Sequence, residues 1–153
     1  MAYSTEEGRQ QLLDELADAI DELGYALADL GAAYEQLDVM TADKLEEQLF
    51  GPLQRGYGRA KRTYAAFADR AGLEAQSFDT PEPGPPPSAG PKGFVASASA
   101  AIGKAELKLG DMQSSSQLIE VGDAELRAGL VETRTAIGGL PHAATELTRR
   151  LGR

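Results

Sequence analysis

Residues 16, 20, 23, 27, 30, 34 and 37 are Leu, Ile, Leu, Leu, Leu, Tyr and Leu. Steps alternating between four and three place all seven side chains on one stripe of a helix, and no strand gathers them on one face. A helix carrying such a stripe must bury it against other helices. The spacing predicts a first helix over about 5–39, roughly 50 Å long. Thr5 is the expected N-cap, and Glu6 and Glu7 fall in the first turn, where the helix dipole favours negative charge.

The rhythm returns three times. Leu45, Leu49, Leu53, Tyr57, Ala60, Tyr64, Phe67 and Ala71 predict a second helix over about 42–72, capped by Thr41 and ended by Gly72. Gly51-Pro52 predicts a kink within it, or a restart with Pro52 at the first helical position, because proline lacks a donor and crowds the preceding turn. Val95, Ala98, Ile102, Ala105, Leu109 and Met112 predict a third helix over about 93–117, with Ser114–Ser116 at its fraying end. Leu126, Leu130, Ile137, Leu140, Ala144, Leu147 and Leu151 predict a fourth over about 123–151, capped by Asp123 and kinked at Gly138-Gly139-Leu140-Pro141.

The short connection after the first helix forces an antiparallel hairpin, and the third and fourth helices read the same way. Between the pairs, DTPEPGPPPSAGPKG at 79–93 holds six prolines and three glycines and reads as an extended connector. The expected fold is all-α: an antiparallel four-helix bundle from hairpins 5–39/42–72 and 93–117/123–151. One domain is expected over 1–153, with the first hairpin in 1–78, the Pro/Gly linker in 79–93 and the second hairpin in 94–153.

Leu23-Gly24-x-Ala26-x-x-x-Leu30-Gly31 and Ile102-Gly103-x-Ala105-x-x-x-Leu109-Gly110 match at a constant offset of 79, the pattern of a duplicated hairpin. A helical glycine costs about 1 kcal/mol relative to alanine. These paired glycines are therefore expected where another backbone comes close, between the hairpins.

Several function classes are disfavoured. Cysteine is absent, which removes disulfide and thiolate chemistry. No run of 18 apolar residues exists to span a bilayer, and the first residues lack the basic-then-apolar pattern of a secretory signal; a cytoplasmic location is expected. Tryptophan is also absent, so the Trp-x-Gly turn of secreted helical hairpins is missing. A net charge of −9 disfavours nucleic acid and membrane surfaces as partners. His142 is the one histidine, with Glu146 a turn away, too few ligands for a closed metal site. Seven residues, including two glycines and a proline, separate it from Arg134, so one continuous helix cannot present both. No pair of groups has the spacing that acid–base or nucleophilic work demands, so neither an enzyme nor a cofactor is expected. The wealth of Ala, Gly, Leu, Asp and Arg is that of a GC-rich bacterial genome.

One segment stands out. In Gln54–Tyr64, Arg55, Arg59 and Arg62 fall on one helical face at i, i+4 and i+7, flanked by Tyr57 and Tyr64. Such a face can hold an anion, stack on a base or meet a partner. The acidic residues 1–50, where Arg9 and Lys44 are the only bases, are its obvious partner within the chain. Tyr25, Tyr34, Tyr57, Tyr64, Phe50 and Phe67 come from the first hairpin against Phe94 alone in the second, an imbalance that fits either interdigitated packing or a cleft for an apolar ligand. The function expected is non-enzymatic: a bundle that binds another protein or itself, as a homo-oligomer. The alternative is a small-ligand, phosphate or nucleotide binder using Arg55, Arg59, Arg62, Tyr57 and Tyr64.

Overall fold

Ser4 starts the first helix: its backbone is extended and its hydroxyl accepts from the Glu7 amide at 3.1 Å, one residue earlier than the Thr5 cap the sequence suggested. A computed structural model describes residues 4–84 and 88–151 of the chain. Helix α1 spans Thr5–Glu35. It stops short of residue 39 because Asp38, also extended, accepts from the Thr41 amide at 2.8 Å and starts α2, Val39–Leu45. The cap is Asp38, not Thr41; a hydrogen bond with the Thr41 side chain, and after it the one from the Thr41 amide, hold its carboxyl below the usual range.

The kink expected at Gly51-Pro52 takes a different form. A π turn over Glu46–Phe50 inserts a wider coil, and α3 runs on from Gly51 to Ala71 with Pro52 in its first turn, where a missing amide goes unnoticed. Gly72, at φ 69°, closes α3 in the left-handed conformation glycine tolerates.

Helix α4 begins at Pro91 and ends at Ser114, two residues earlier at the start and three at the end than expected. The serine run is a hinge rather than a frayed end. Ser115 is extended, and its hydroxyl accepts from the Gln117 amide to cap the short α5, Ser116–Val121. Asp123 caps α6, Ala124–Ile137, by accepting from the Leu126 amide at 2.8 Å. Gly138 and Gly139 then divide the fourth expected helix in two, with α7 at Leu140–Leu151. The described residues contain no strand.

Helix α1 packs most extensively on α4, α3 on α6, and α7 on α4. A side-chain carbon at Gly8 would touch Val121 and Gln117, and one at Gly90 would meet Gln36. The start of α1 thus meets the segment after α4, and the end of α1 meets its beginning. Leu16, Ile20, Leu23 and Leu30 of α1, Leu53 and Phe67 of α3, Ile102 and Leu109 of α4, and Leu130 and Leu147 of α6 and α7 form one continuous core. The two halves of the sequence share it. Buried Thr63 and Thr133 satisfy their hydroxyls on the carbonyls four residues back, Arg59 and Gly129, each at 2.8 Å.

The connector is longer than expected at its start. Residues 73–84 are extended and pack back onto the helices, while 85–87 of the expected linker lie outside the described residues. Phe78 stands edge-on to Tyr64, ring centroids 4.9 Å apart at 88°, and the Gln76 amide donates to the Tyr64 hydroxyl at 3.2 Å. Pro81 lies against Gly24. The segment is a strap across buried aromatics.

The paired glycines do not mark the close contacts. A side-chain carbon at Gly31 or Gly103 would meet nothing within 4 Å, Gly24 faces the strap and Tyr57, and Gly110 faces Arg134. The tight crossing lies elsewhere, between α3 and α6. A carbon at Gly56 would come within 2.6 Å of Ile137 Cγ2, and one at Gly129 within 2.9 Å of Thr63 Cβ.

Candidate functional site

The Arg/Tyr segment of α3 is divided by the fold. Tyr57 and Tyr64 are buried beneath the strap, at 5% and 4% exposure, and offer no stacking surface. Burial pushes the Tyr57 phenol above its ordinary range; a hydrogen bond with Thr80 opposes this, and Asp21 and Asp79 add to it. The Lys61 ammonium sits 4.3 Å from the Tyr57 ring centre. Arg59 instead pairs with Glu132 of α6. Arg55 and Arg62 are exposed and take part in no ion pair among the described residues. The five residues therefore do not share one open face.

The basic stretch also finds a different partner from the acidic first helix. Arg70 makes two bonds to the Asp123 carboxylate, at 2.7 and 2.9 Å, and reaches Glu125 at 2.8 Å. With Arg59–Glu132, these pairs tie α3 to α6. Asp123 serves twice, as cap of α6 and as acceptor for Arg70, and the Arg70 hydrogen bond holds its carboxyl below the ordinary value of 3.8. A carboxylate with a depressed folded-state pKa stabilises above its unfolded value, and that contribution disappears as pH falls through the folded value. Thermal melts from about pH 6 down to about pH 2 are expected to show a decline below about pH 4 that is smaller in Asp123→Asn, which should also be less stable at neutral pH. Both partners are about one-third exposed, so the effect should shrink with added salt.

His142 is exposed on the first turn of α7. Among the described residues, no three His, Asp or Glu side chains are grouped to hold a metal ion, and no helix is long and apolar enough to cross a membrane. A cleft of about 610 Å3 runs between α4 and α7 past Lys92, Ser99 and Arg149.

A second kind of surface occurs where α1 turns into α2. Tyr34 is 40% exposed, Val39 77% and Met40 75%. Tyr34 also lines a cleft of about 340 Å3, together with Gly31, Glu35, Glu46 and Phe50. The sequence builds it in three steps. The apolar stripe of α1 ends at Tyr34, the Asp38 cap starts α2 with Val39 and Met40 outward while Ala42 and Leu45 turn inward, and the π turn brings Glu46 and Phe50 to the same cleft as Gly31. Sequence reasoning missed this site because it counted Tyr34 and Leu37 as helical core and did not foresee the π turn. The available signal was Val39-Met40, two large apolar residues lying off the stripe. Neither a protein-family model, nor a curated protein, nor a solved structure matches this chain.

Proposed function

We propose that this chain is a non-enzymatic interaction module: an antiparallel four-helix bundle, working in the cytoplasm, that docks another protein or a further copy of itself through the corner between α1 and α2. The observation carrying this reading is the set of exposed apolar side chains, Tyr34, Val39 and Met40, the first of which walls a cleft together with Phe50. Isolated surface apolar residues are ordinary, but three within seven positions, one of them lining a cleft, supply what a partner's apolar face needs. A bundle is the arrangement that reconciles four apolar stripes with one shared core. The non-enzymatic assignment rests on dispersal: the hydroxyls of Thr63 and Thr133 are committed to helix carbonyls, and the lone histidine stands apart from them on α7.

Because the chain has no cysteine, one introduced thiol can carry an environment-sensitive fluorophore. With the label at Met40→Cys, addition of amphipathic helical peptides or of excess unlabelled chain is expected to shift the emission to shorter wavelength. The same label at Asp14→Cys, on the exposed face of α1, should not respond. An unresponsive Met40 label with every peptide and with the chain itself at high concentration would count against docking at this corner.

A further inference from the structure

Resting on that docking reading, we infer that the partner is a cationic amphipathic helix of another protein, which lays its apolar side on Val39 and Met40 and sends a lysine or arginine side chain into the cleft. Four observations converge on this chemistry. The cleft has room: its volume is about 340 Å3, and beside Gly31 nothing lies within 4 Å of where a side-chain carbon would stand. Its walls include the rings of Tyr34 and Phe50, whose faces attract cations. Two of its five lining residues, Glu35 and Glu46, are carboxylates, and neither has a cationic partner among the described residues. The surrounding stretch from Asp29 to Glu47 adds Asp29, Asp38, Asp43 and Glu47 against Lys44 alone.

Other occupants fit less well. An acidic or phosphorylated segment meets like charge, as does nucleic acid or an anionic lipid surface. A neutral apolar segment would cover Glu35 and Glu46 and leave them desolvated without compensation. An extended peptide has no sheet edge to join, since the described residues contain no strand, which leaves the helix-in-groove mode. A second copy offers its cations beside one exposed large apolar side chain at most among the described residues, Leu107 with Lys104 and Lys108 on α4 or Val131 with Arg127 on α6, because the rest of each helix's apolar face is in the core. Neither surface presents the apolar side of a helix.

Fluorescently labelled synthetic peptides of one helical apolar pattern, with lysine, glutamine or glutamate at the polar positions, test this by anisotropy against the full chain. The lysine peptide is expected to bind most tightly, and more weakly as salt rises. Glu35→Lys/Glu46→Lys should weaken it roughly tenfold or more, the loss of about 1.4 kcal/mol. Gly31→Leu, which fills the cleft without changing charge, should weaken it comparably. Glu6→Lys/Glu7→Lys, the same charge change at the far end of α1, should leave binding within about twofold if attraction is local. Equal weakening by the two charge reversals would overturn the inference in favour of general attraction to an acidic surface. If the glutamine or glutamate peptide binds as well as the lysine peptide and Gly31→Leu blocks it, the charge preference is wrong and docking at the corner stands. If no peptide binds, the inference falls, and docking at the corner falls with it when the Met40 label is also unresponsive to the chain itself.

Discussion

The double substitution Gly56→Ala/Gly129→Ala is expected to lower the melting temperature by about 4–10 °C, whereas Gly31→Ala/Gly103→Ala should leave it unchanged or raise it. The chemical change is identical, and alanine is favoured over glycine inside a helix by about 1 kcal/mol at each site. Packing decides the sign. At Gly31 and Gly103 the new methyl meets nothing within 4 Å, so the helical preference is expressed. At Gly129 it would lie within 2.9 Å of Thr63 Cβ, an atom fixed to the backbone of α3 that no rotamer change moves away. At Gly56 it would lie 2.6 Å from Ile137 Cγ2, on a β-branched side chain with little χ1 freedom. Overpacking of this kind costs about 1–3 kcal/mol at each position and can exceed it, more than the propensity gain. The two helices must separate, which also loosens Arg59–Glu132 and Arg70–Asp123 across the same crossing. Adding Thr63→Ala should recover part of the loss at Gly129, since it removes two of the three overlapping atoms while its hydroxyl bonds only to its own helix. Thermal melts of the three variants beside the parent settle the comparison. Equal melting temperatures for the two double substitutions would mean that α3 and α6 do not approach closely here.

The same contrast explains what was legible in the sequence. Alternation of four and three located the helices well, because a long amphipathic helix writes its buried face directly into residue order: Leu16, Ile20, Leu23, Leu27 and Leu30 are all buried. The pattern failed at its end. Tyr34 keeps the register but is 40% exposed although Ala33 beside it is fully buried, since periodicity records which residues share a face and not which edge of that face a neighbour covers. The repeated glycines misled for a related reason: similarity between two segments says nothing of which glycine faces a neighbour. A better signal was register. Gly56 sits three residues after Leu53 and four before Ala60, and Gly129 three after Leu126 and four before Thr133, so both occupy core positions without a side chain. The division of the Arg/Tyr face was not legible because α3 has neighbours on both flanks. Its tyrosines turn to the strap and Arg59 to α6, a division that no helical wheel of one segment contains.

Tyr64→Ala is expected to cost about 3–5 kcal/mol and, beyond destabilising the core, to release the strap. Tyr64 is 4% exposed and belongs to the shared core, so truncation forfeits the burial of a ring and leaves a cavity. Its ring and hydroxyl are also the strap's anchors, through the edge-on contact with Phe78 and the Gln76 amide. Residues 73–84 form no helix or sheet ladder of their own, so little else holds them in place. Tyr64→Phe separates the two roles. It keeps the ring and removes only the hydroxyl acceptor for a partly exposed amide, a loss of about 0.5–1.5 kcal/mol, and should leave the strap in place. Glu74 lies on the strap, is exposed and is followed by Ala75, which makes a glutamate-specific protease a direct reporter. Cleavage after Glu74 should be fast in Tyr64→Ala and slow in the parent and in Tyr64→Phe, at a temperature well below the melting point of each. Fast cleavage of the parent would show that the extended connector lies loose over α3, and that Tyr57 and Tyr64 are open after all to a ligand able to stack on them. Protection in all three would move the anchor to Pro81 and Thr80, where the strap meets Gly24 and the Tyr57 hydroxyl.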